Sequence, residues 1–374
     1  AYENITHLSD YDSQYYVEYG ADVSVDFPRF IMPFVSDDVQ RRSKATTQAD
    51  LQYNSQSRPE FDRDVFSASW SYLWNTSRQV RHRFDLLGIN LVYVPRKDQN
   101  FINNYLEQYN SRNSIMKFNY EDLFIFRTGY NFHYTSDVSG IAKDYFDISH
   151  SVYVGVETAG NLLYALSRSL ESQKDTLGQY RIFDVAYAQY IKQDFFWTIN
   201  MNLNQRNSLL FHIETGVAFP YGNARMLPFE KRYYAGGANG MRGWQFRELG
   251  PGTFSNPDNL NIERIGDIQL EFNLEYRFPI HSFIKGAIFT DIGNIWTMRE
   301  NETFAGGQFK FNTFYKQLAA DAGIGLRFDF SFFLFRLDAA TPIVNPAYPE
   351  GERWRISKLQ FRDFILNFGI GYPF

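Results

Sequence analysis

Residues 266–279 read GDIQLEFNLEYRFP, in which Ile268, Leu270, Phe272, Leu274, Tyr276 and Phe278 alternate without a break with Gln269, Glu271, Asn273, Glu275 and Arg277. A period of two is that of a β-strand, whose successive side chains point to opposite faces. A helix would need apolar spacings of three and four, which are absent. One face is wholly apolar and the other strongly polar, as expected of a strand with lipid on one side and a polar interior on the other. The last residues repeat the pattern: Phe364, Leu366, Phe368, Ile370, Tyr372 and Phe374 stand on one face, Asn367, Gly369 and Gly371 on the other.

Working outward from these two, the same alternation marks thirteen segments: 15–27, 44–54, 65–75, 84–94, 123–134, 148–158, 189–203, 209–219, 266–279, 284–296, 318–330, 333–341 and 364–374. The connections alternate as well. Those near Asn75 to His82, Asn204 to Asn207, Ile280 to Ser282 and Ser331 to Phe332 are short, whereas 95–120, 160–188, 220–266, 297–316 and 343–362 are long. Short periplasmic turns and long outer loops are the pattern of an outer-membrane β-barrel. Thirteen is odd, while single-chain bacterial barrels have an even count. Ala1–Ile5 is therefore read as the end of a further strand, with more strands upstream. Only Asp98–Ser114 shows helical spacing, through Phe101, Ile102, Tyr105, Leu106 and Tyr109, and is read as an amphipathic helix on a loop.

Composition agrees. Among 374 residues 18% are aromatic, too many for a disordered chain, and no run of 18 uncharged apolar residues exists, which excludes membrane helices. A mean hydropathy of −0.40 suits a barrel in which only every second strand residue meets lipid. There is no cysteine, hence no thiol catalysis and no Cys-ligated metal. A net charge of −5 without a basic block argues against nucleic acid as a partner. Ala1-Tyr2-Glu3-Asn4 is no signal peptide, so the chain reads as mature or as a fragment. An enzyme is disfavoured: none of the six histidines has metal-ligand or nucleophile-elbow spacing, and His150 with Ser149 or Ser151 places neighbours on opposite strand faces.

The most unusual stretch is 227–252, LPFEKRYYAGGANGMRGWQFRELGPG, within the longest loop. Gly236, Gly237, Gly240 and Gly243 lack the strand-to-helix setting and the Gly-Lys-Ser/Thr of a phosphate cradle, so no nucleotide or other cofactor is expected, and the glycines are read as letting the loop fold tightly. Tyr234 to Gly237 followed by Arg242-Gly243-Trp244 resembles the sixth-loop signature of the BamA/TamA outer-membrane assembly superfamily. The resemblance continues through Leu274 to Tyr276, Asp291 to Trp296 and Ala322 to Arg327 to the terminal strand, covering about the last 170 residues. Met241 stands where that signature often has valine.

The resemblance implies an all-β transmembrane antiparallel barrel of about sixteen strands in the bacterial outer membrane. Residues 1–374 would be its C-terminal barrel domain, preceded by periplasmic domains, and 220–266 a sixth outer loop folded into the lumen. It further implies that Arg242 meets Glu275 and Asp291, both on polar faces by the period-two reading. Arg247 and Glu248 are read as ordinary loop charges. The last strand matches the sorting signal of such barrels, with Phe368, Tyr372 and Phe374 as its aromatics and Gly369 and Gly371 facing inward beside a lateral gate. Implied partners are outer-membrane lipids, client outer-membrane or surface proteins, and periplasmic or envelope proteins. The implied function is assembly or translocation of such clients without catalysis, nearest to the lipoprotein-anchored TamL branch. A two-partner secretion exporter and a passive porin are the alternatives, and a loop plugging the lumen speaks against the porin.

Overall fold

Strand β11 (Ile268–His281) buries its polar side chains from Gln269 to Arg277 and leaves the apolar ones between them more accessible: Glu275 is 0% exposed, Leu274 beside it 41%. Transferring a lone carboxylate out of water is costly unless it is paired. This inside-out pattern therefore needs lipid on one face and complementary charges on the other, and it recurs in the strands that follow. Ile288 and Ile324 are exposed, while Asp291, Arg327 and Asp338 are buried.

The computed structural model describes residues 17–32, 35–36, 38, 40, 44–57, 61–98, 121–136, 146–176, 178–182, 184–255, 264–300, 302–330 and 332–373. The strands before β11 are β1 (Val17–Phe27), β2 (Thr46–Ser57), β3 (Phe61–Asn75), β4 (Val80–Lys97), β5 (Leu123–Thr135) and β6 (Asp147–Ala159), then the two-residue β7 (Arg181–Ile182) and β8 (Val185–Ala186), β9 (Tyr190–Asn202) and β10 (Ser208–Pro220). After it come β12 (Ile284–Trp296), β13 (Ala319–Asp329), β14 (Leu334–Val344) and β15 (Ile365–Ile370). Thirteen of these form one sheet in sequence order, each hydrogen-bonded to the next, and β7 with β8 makes a separate ribbon. All thirteen segments of alternating sequence are strands of that sheet. Among the described residues no pairing joins β1 to β15. The stub at Ala1–Ile5, the loop helix expected beyond Asp98 and Phe374 lie outside the described residues.

One helix was not read from the sequence. Asn161–Ser169 is α-helical, entered through Gly160 at φ 75°. Leu162, Leu166 and Leu170 do stand at helical spacing, but inside a stretch taken as a long loop, and all three side chains are exposed. No helix among the described residues is long and apolar enough to cross a membrane. The short turns are locally encoded: between β9 and β10 the Asn204 side chain accepts from the amides of Arg206 and Asn207, each at 2.9 Å.

The chain divides into two compact units. The first holds Ala1–Phe132, Gly155–Lys192 and Ala218–Lys231, and the second His133–Val154, Gln193–Val217 and Arg232–Phe374. Each carries its own network of charges on the polar face of its strands, half-buried around Glu157 and Arg127 in the first and fully buried around Glu275 and Arg327 in the second.

Candidate loop-anchoring site

In the second unit the registers line up the polar residues of consecutive strands. Asn273 of β11 pairs with Asp291 of β12, Asp291 with Asp321 of β13, and Asp338 of β14 with Asn367 of β15. A patch this acidic requires a cation, and the connection between β10 and β11 supplies it. Arg242 is 0% exposed. Its Nη1 donates to Glu275 Oε2 at 2.6 Å, its Nε and Nη2 donate to the two oxygens of Asp291 at 2.8 Å each, and its backbone N–H donates to Asp291 Oδ2 at 3.2 Å. The planar guanidinium thus bridges two strands, which a lysine ammonium could not do with that geometry. Phe289 closes one face of the guanidinium, its ring centroid 3.4 Å away. Burial opposes the charge of Arg242, but Asp291 and Glu275 outweigh it and raise the pKa above the ordinary arginine value.

The neighbours of Arg242 fit the same socket. The Gly243 amide donates to Asp321 Oδ2 at 2.8 Å, and a Cβ on Gly243 would lie 2.5 Å from that of Asp321, so only glycine brings the backbone this close. The carbonyl of Gly240 accepts from Asn273 Nδ2 at 3.1 Å. Trp244 is buried, and its carbonyl accepts from the Gly237 amide at 2.9 Å, which folds the loop on itself. Gly236, with φ 102°, packs against the Gln245 carbonyl where a side chain would collide. Arg247 lies outside the socket, over the rings of Phe246 and Tyr234 at 4.8 and 5.2 Å.

A family model, the Omp85 superfamily domain, matches residues 183–374, which includes this whole socket. The chain belongs to the Omp85 superfamily. It is 26% identical over 113 residues to the outer membrane protein assembly factor BamA of Neisseria meningitidis, a stretch covering 28% of this chain and 14% of that protein. Among solved structures it is similar to BamA from Haemophilus ducreyi lacking POTRA domains 1-3, with TM-score 0.59, 13% identity, and coverage of 94% of this chain and 61% of that one. It is also similar to CdiB from Escherichia coli, with TM-score 0.52, 10% identity, and coverage of 97% and 54%. The chain spans less than two thirds of the length of each. It is an Omp85 β-barrel of the bacterial outer membrane.

The Omp85 socket is larger than the set Arg242, Gly243, Trp244, Glu275 and Asp291 singled out in the sequence. Arg327 of β13 donates to Glu275 Oε2 at 3.0 Å and pairs with Asp338, which lies 3.9 Å from Arg242 Nη1. Arg277 donates from Nε to Glu275 Oε1 at 2.6 Å. Arg336 reaches the loop through the Asn239 side chain. Four arginines and the carboxylates of Glu275, Asp291, Asp321 and Asp338 thus interlock. The alternation had already assigned these residue types to polar faces; which of them converge is a tertiary fact.

The terminal strand contributes too. Asn367 Nδ2 donates to the Arg242 carbonyl at 2.9 Å. Gly369 faces inward as expected, opposite Arg336, whose guanidinium occupies the space a Cβ would need. Phe368 faces outward and is exposed. Gly371 departs from expectation: it lies beyond the end of β15 at φ 86°, a Cβ there would meet nothing within 4 Å, and its role is a left-handed turn rather than relief of crowding. That turn takes Tyr372 out of the outward series and sets its ring 3.9 Å from the Arg277 guanidinium.

The first unit grips the start of the same connection. Lys231, closing the 3-10 turn Phe229–Lys231, pairs with Glu157 of β6 at 2.6 Å, and Glu230 pairs with Arg63 of β3. Glu157 is shared: Tyr190 donates to it at 2.5 Å and Arg127 Nη1 at 3.1 Å. Burial lowers the Lys231 pKa below the ordinary lysine value, against the opposing pull of Glu157. Nothing in the sequence pattern distinguished Lys231 from other loop charges.

As for the chemistry considered earlier, His150 stacks towards Trp197 at 6.2 Å, and Ser151 lies 3.3 Å from His133 rather than forming a pair with its neighbour. No cluster of metal-ligating side chains occurs among the described residues.

Proposed function

We propose that this Omp85 barrel belongs to an outer-membrane assembly or translocation factor whose activity depends on the state of the loop held by Arg242. The observation carrying this reading is the Arg242 socket, in which one loop residue is bound to carboxylates of β11 and β12 by its side chain and to β15 by its carbonyl. Loop position and the pairing of the terminal strand are then linked. In this reading residues 220–266 occupy the lumen, β15 borders a lateral gate, and clients are outer-membrane or surface proteins whose unpaired strand edges need partners in lipid. Folding of the client supplies the free energy, and no catalysis, cofactor or metal takes part. Periplasmic or envelope proteins deliver the clients, and the lipoprotein-anchored TamL branch is the nearest. The likeness to CdiB supports a second reading, export through the barrel in two-partner secretion.

The test is Arg242→Ala in the full-length protein, followed by outer-membrane protein levels, surface display and electrophoretic mobility with and without heating. Impaired assembly exceeding that of Arg247→Ala supports the proposal. Equal effects of the two substitutions remove it. Free conduction in liposomes, with outer-membrane protein levels unchanged on depletion, selects the porin instead.

A further inference from the structure

Two long connections of the second unit, between β12 and β13 and between β14 and β15, expose large rings in an unusual way. Within the first, Phe309 and Phe314 pack around buried Trp296 with centroids 5.6 and 6.2 Å from it, while Phe311, 5.9 Å from Phe314, is 83% exposed. In the second, Trp354 is 66% and Phe361 94% exposed. These rings sit on ordered backbone: the Asn345 amide donates to the Arg353 carbonyl and the Arg355 amide to the Ile343 carbonyl, extending β14 as a short hairpin. Arg353 Nη1 donates to the Lys316 carbonyl at 2.8 Å, so the two connections form one surface.

That surface is continuous with the lipid-facing side of the terminal strand. Phe361 lies 6.2 Å from Phe364, which opens the outward series Phe364, Leu366, Phe368 and Ile370. It is also cationic. Residues 297–318 and 345–364 carry seven basic side chains, Arg299, Lys310, Lys316, Arg353, Arg355, Lys358 and Arg362, against five acidic ones, Glu300, Glu302, Glu350, Glu352 and Asp363, and of the basic ones Lys358 pairs with Glu352 at 3.2 Å. Long connections mark the outward end of such barrels. Aromatic rings at the end of a lipid-facing strand occupy the headgroup level, and Lys and Arg beside them meet phosphate oxygens. A surface for a soluble apolar partner would have no use for the surplus positive charge.

We propose that these two connections form a headgroup-level contact surface that binds lipids of the outer leaflet whose phosphates leave them with net negative charge. The aromatic tips enter the interface and Arg355, Lys358 and Arg362 hold the phosphates. The terminal strand is thereby tethered to the surrounding lipid by the segment immediately before it.

The experiment uses the full-length protein in detergent, titrated with bisphosphorylated lipid A or with phosphatidylcholine. Binding is followed by the emission of Trp354, taken as the difference between the wild type and Trp354→Phe. Lipid A is expected to bind in a salt-dependent manner and phosphatidylcholine weakly. The triple variant Arg355→Gln/Lys358→Gln/Arg362→Gln should lose about a hundredfold in affinity, from about fivefold per charge. Phe361→Ser should weaken binding without removing its salt dependence. All variants should keep the wild-type heat-modified mobility, since none touches the Arg242 socket; should any fail to fold, the comparison of the two lipids across salt on the wild type decides alone. Equal binding of both lipids, or unchanged affinity of a folded triple variant, overturns the proposal. So does concentration-dependent self-association that Phe361→Ser abolishes while lipid A affinity stays the same, because the occupant is then a second copy of the chain.

Discussion

Arg242 is fully buried and Lys231 half-buried on the same connection, and the contrast between these two cations shows what a grip on a loop requires. Arg242 meets two carboxylates on two strands through three side-chain donors, and its charge is stabilised beyond that of a free arginine. Lys231 meets one carboxylate that Tyr190 and Arg127 also use, and burial leaves its charge less favourable than in water. A guanidinium is a fork that fixes direction; an ammonium is a point charge that another donor can replace. The connection is thus held firmly at Arg242 and loosely at Lys231.

The largest test of that inequality is removal of each cation. Arg242→Ala leaves Glu275 and Asp291 short of a buried partner and should cost about 3–5 kcal/mol, read as a lower unfolding temperature of the barrel in detergent. Lys231→Met leaves Glu157 with Arg127 and Tyr190, and should cost less than about half of that. Equal losses would break the comparison. Next in size, Gly243→Ala places a Cβ against Asp321 and should cost about 1–3 kcal/mol by overpacking, whereas Gly371→Ala should act only through its backbone angle, at about 1–2 kcal/mol. Smaller still, Asn367→Ala removes one hydrogen bond to the Arg242 carbonyl, about 1 kcal/mol, but should speed amide exchange selectively in β15. Uniform exchange along β11 to β15 would show that the terminal strand is not tied to the loop.

The smallest effect is a pH term. Between the lowered pKa of Lys231 and the ordinary lysine value, the unfolded chain holds a proton that the folded chain has released, so Lys231 adds stability as pH rises through that window. The difference in unfolding free energy between wild type and Lys231→Met should therefore move in favour of the wild type at alkaline pH. Arg242 contributes no such change there, because its pKa is raised. A flat difference across the window would assign Lys231 the same kind of pairing as Arg242.

How much of this was legible follows from the physics of each element. Strand alternation is local and strong, so residues 266–279 alone decided the fold class, and the polar faces of β11 and β12 placed Glu275 and Asp291 on the side where a loop arginine could reach them. The roles of Asp321, Arg327 and Asp338 were not legible. Gly323 and Gly325 dilute the alternation of β13, and convergence of side chains from separate strands leaves no trace in spacing. Gly371 was assigned to an inward face because alternation was carried one step past the strand end; a positive φ has no signature beyond glycine itself. The helix Asn161–Ser169 was missed because its leucines occupy a short stretch between two strands.

The Phe289 ring over the Arg242 guanidinium bears on time as well as stability. With an aromatic plane on one side and carboxylates around its edge, the guanidinium has no water to exchange into during the first ångströms of withdrawal. Partial displacement stretches charged contacts without replacing them, so the cost rises steeply before solvent can repay it. Any withdrawal of the loop from its socket would then be an abrupt passage between two states, not a graded sliding, at a rate set by the height of that barrier.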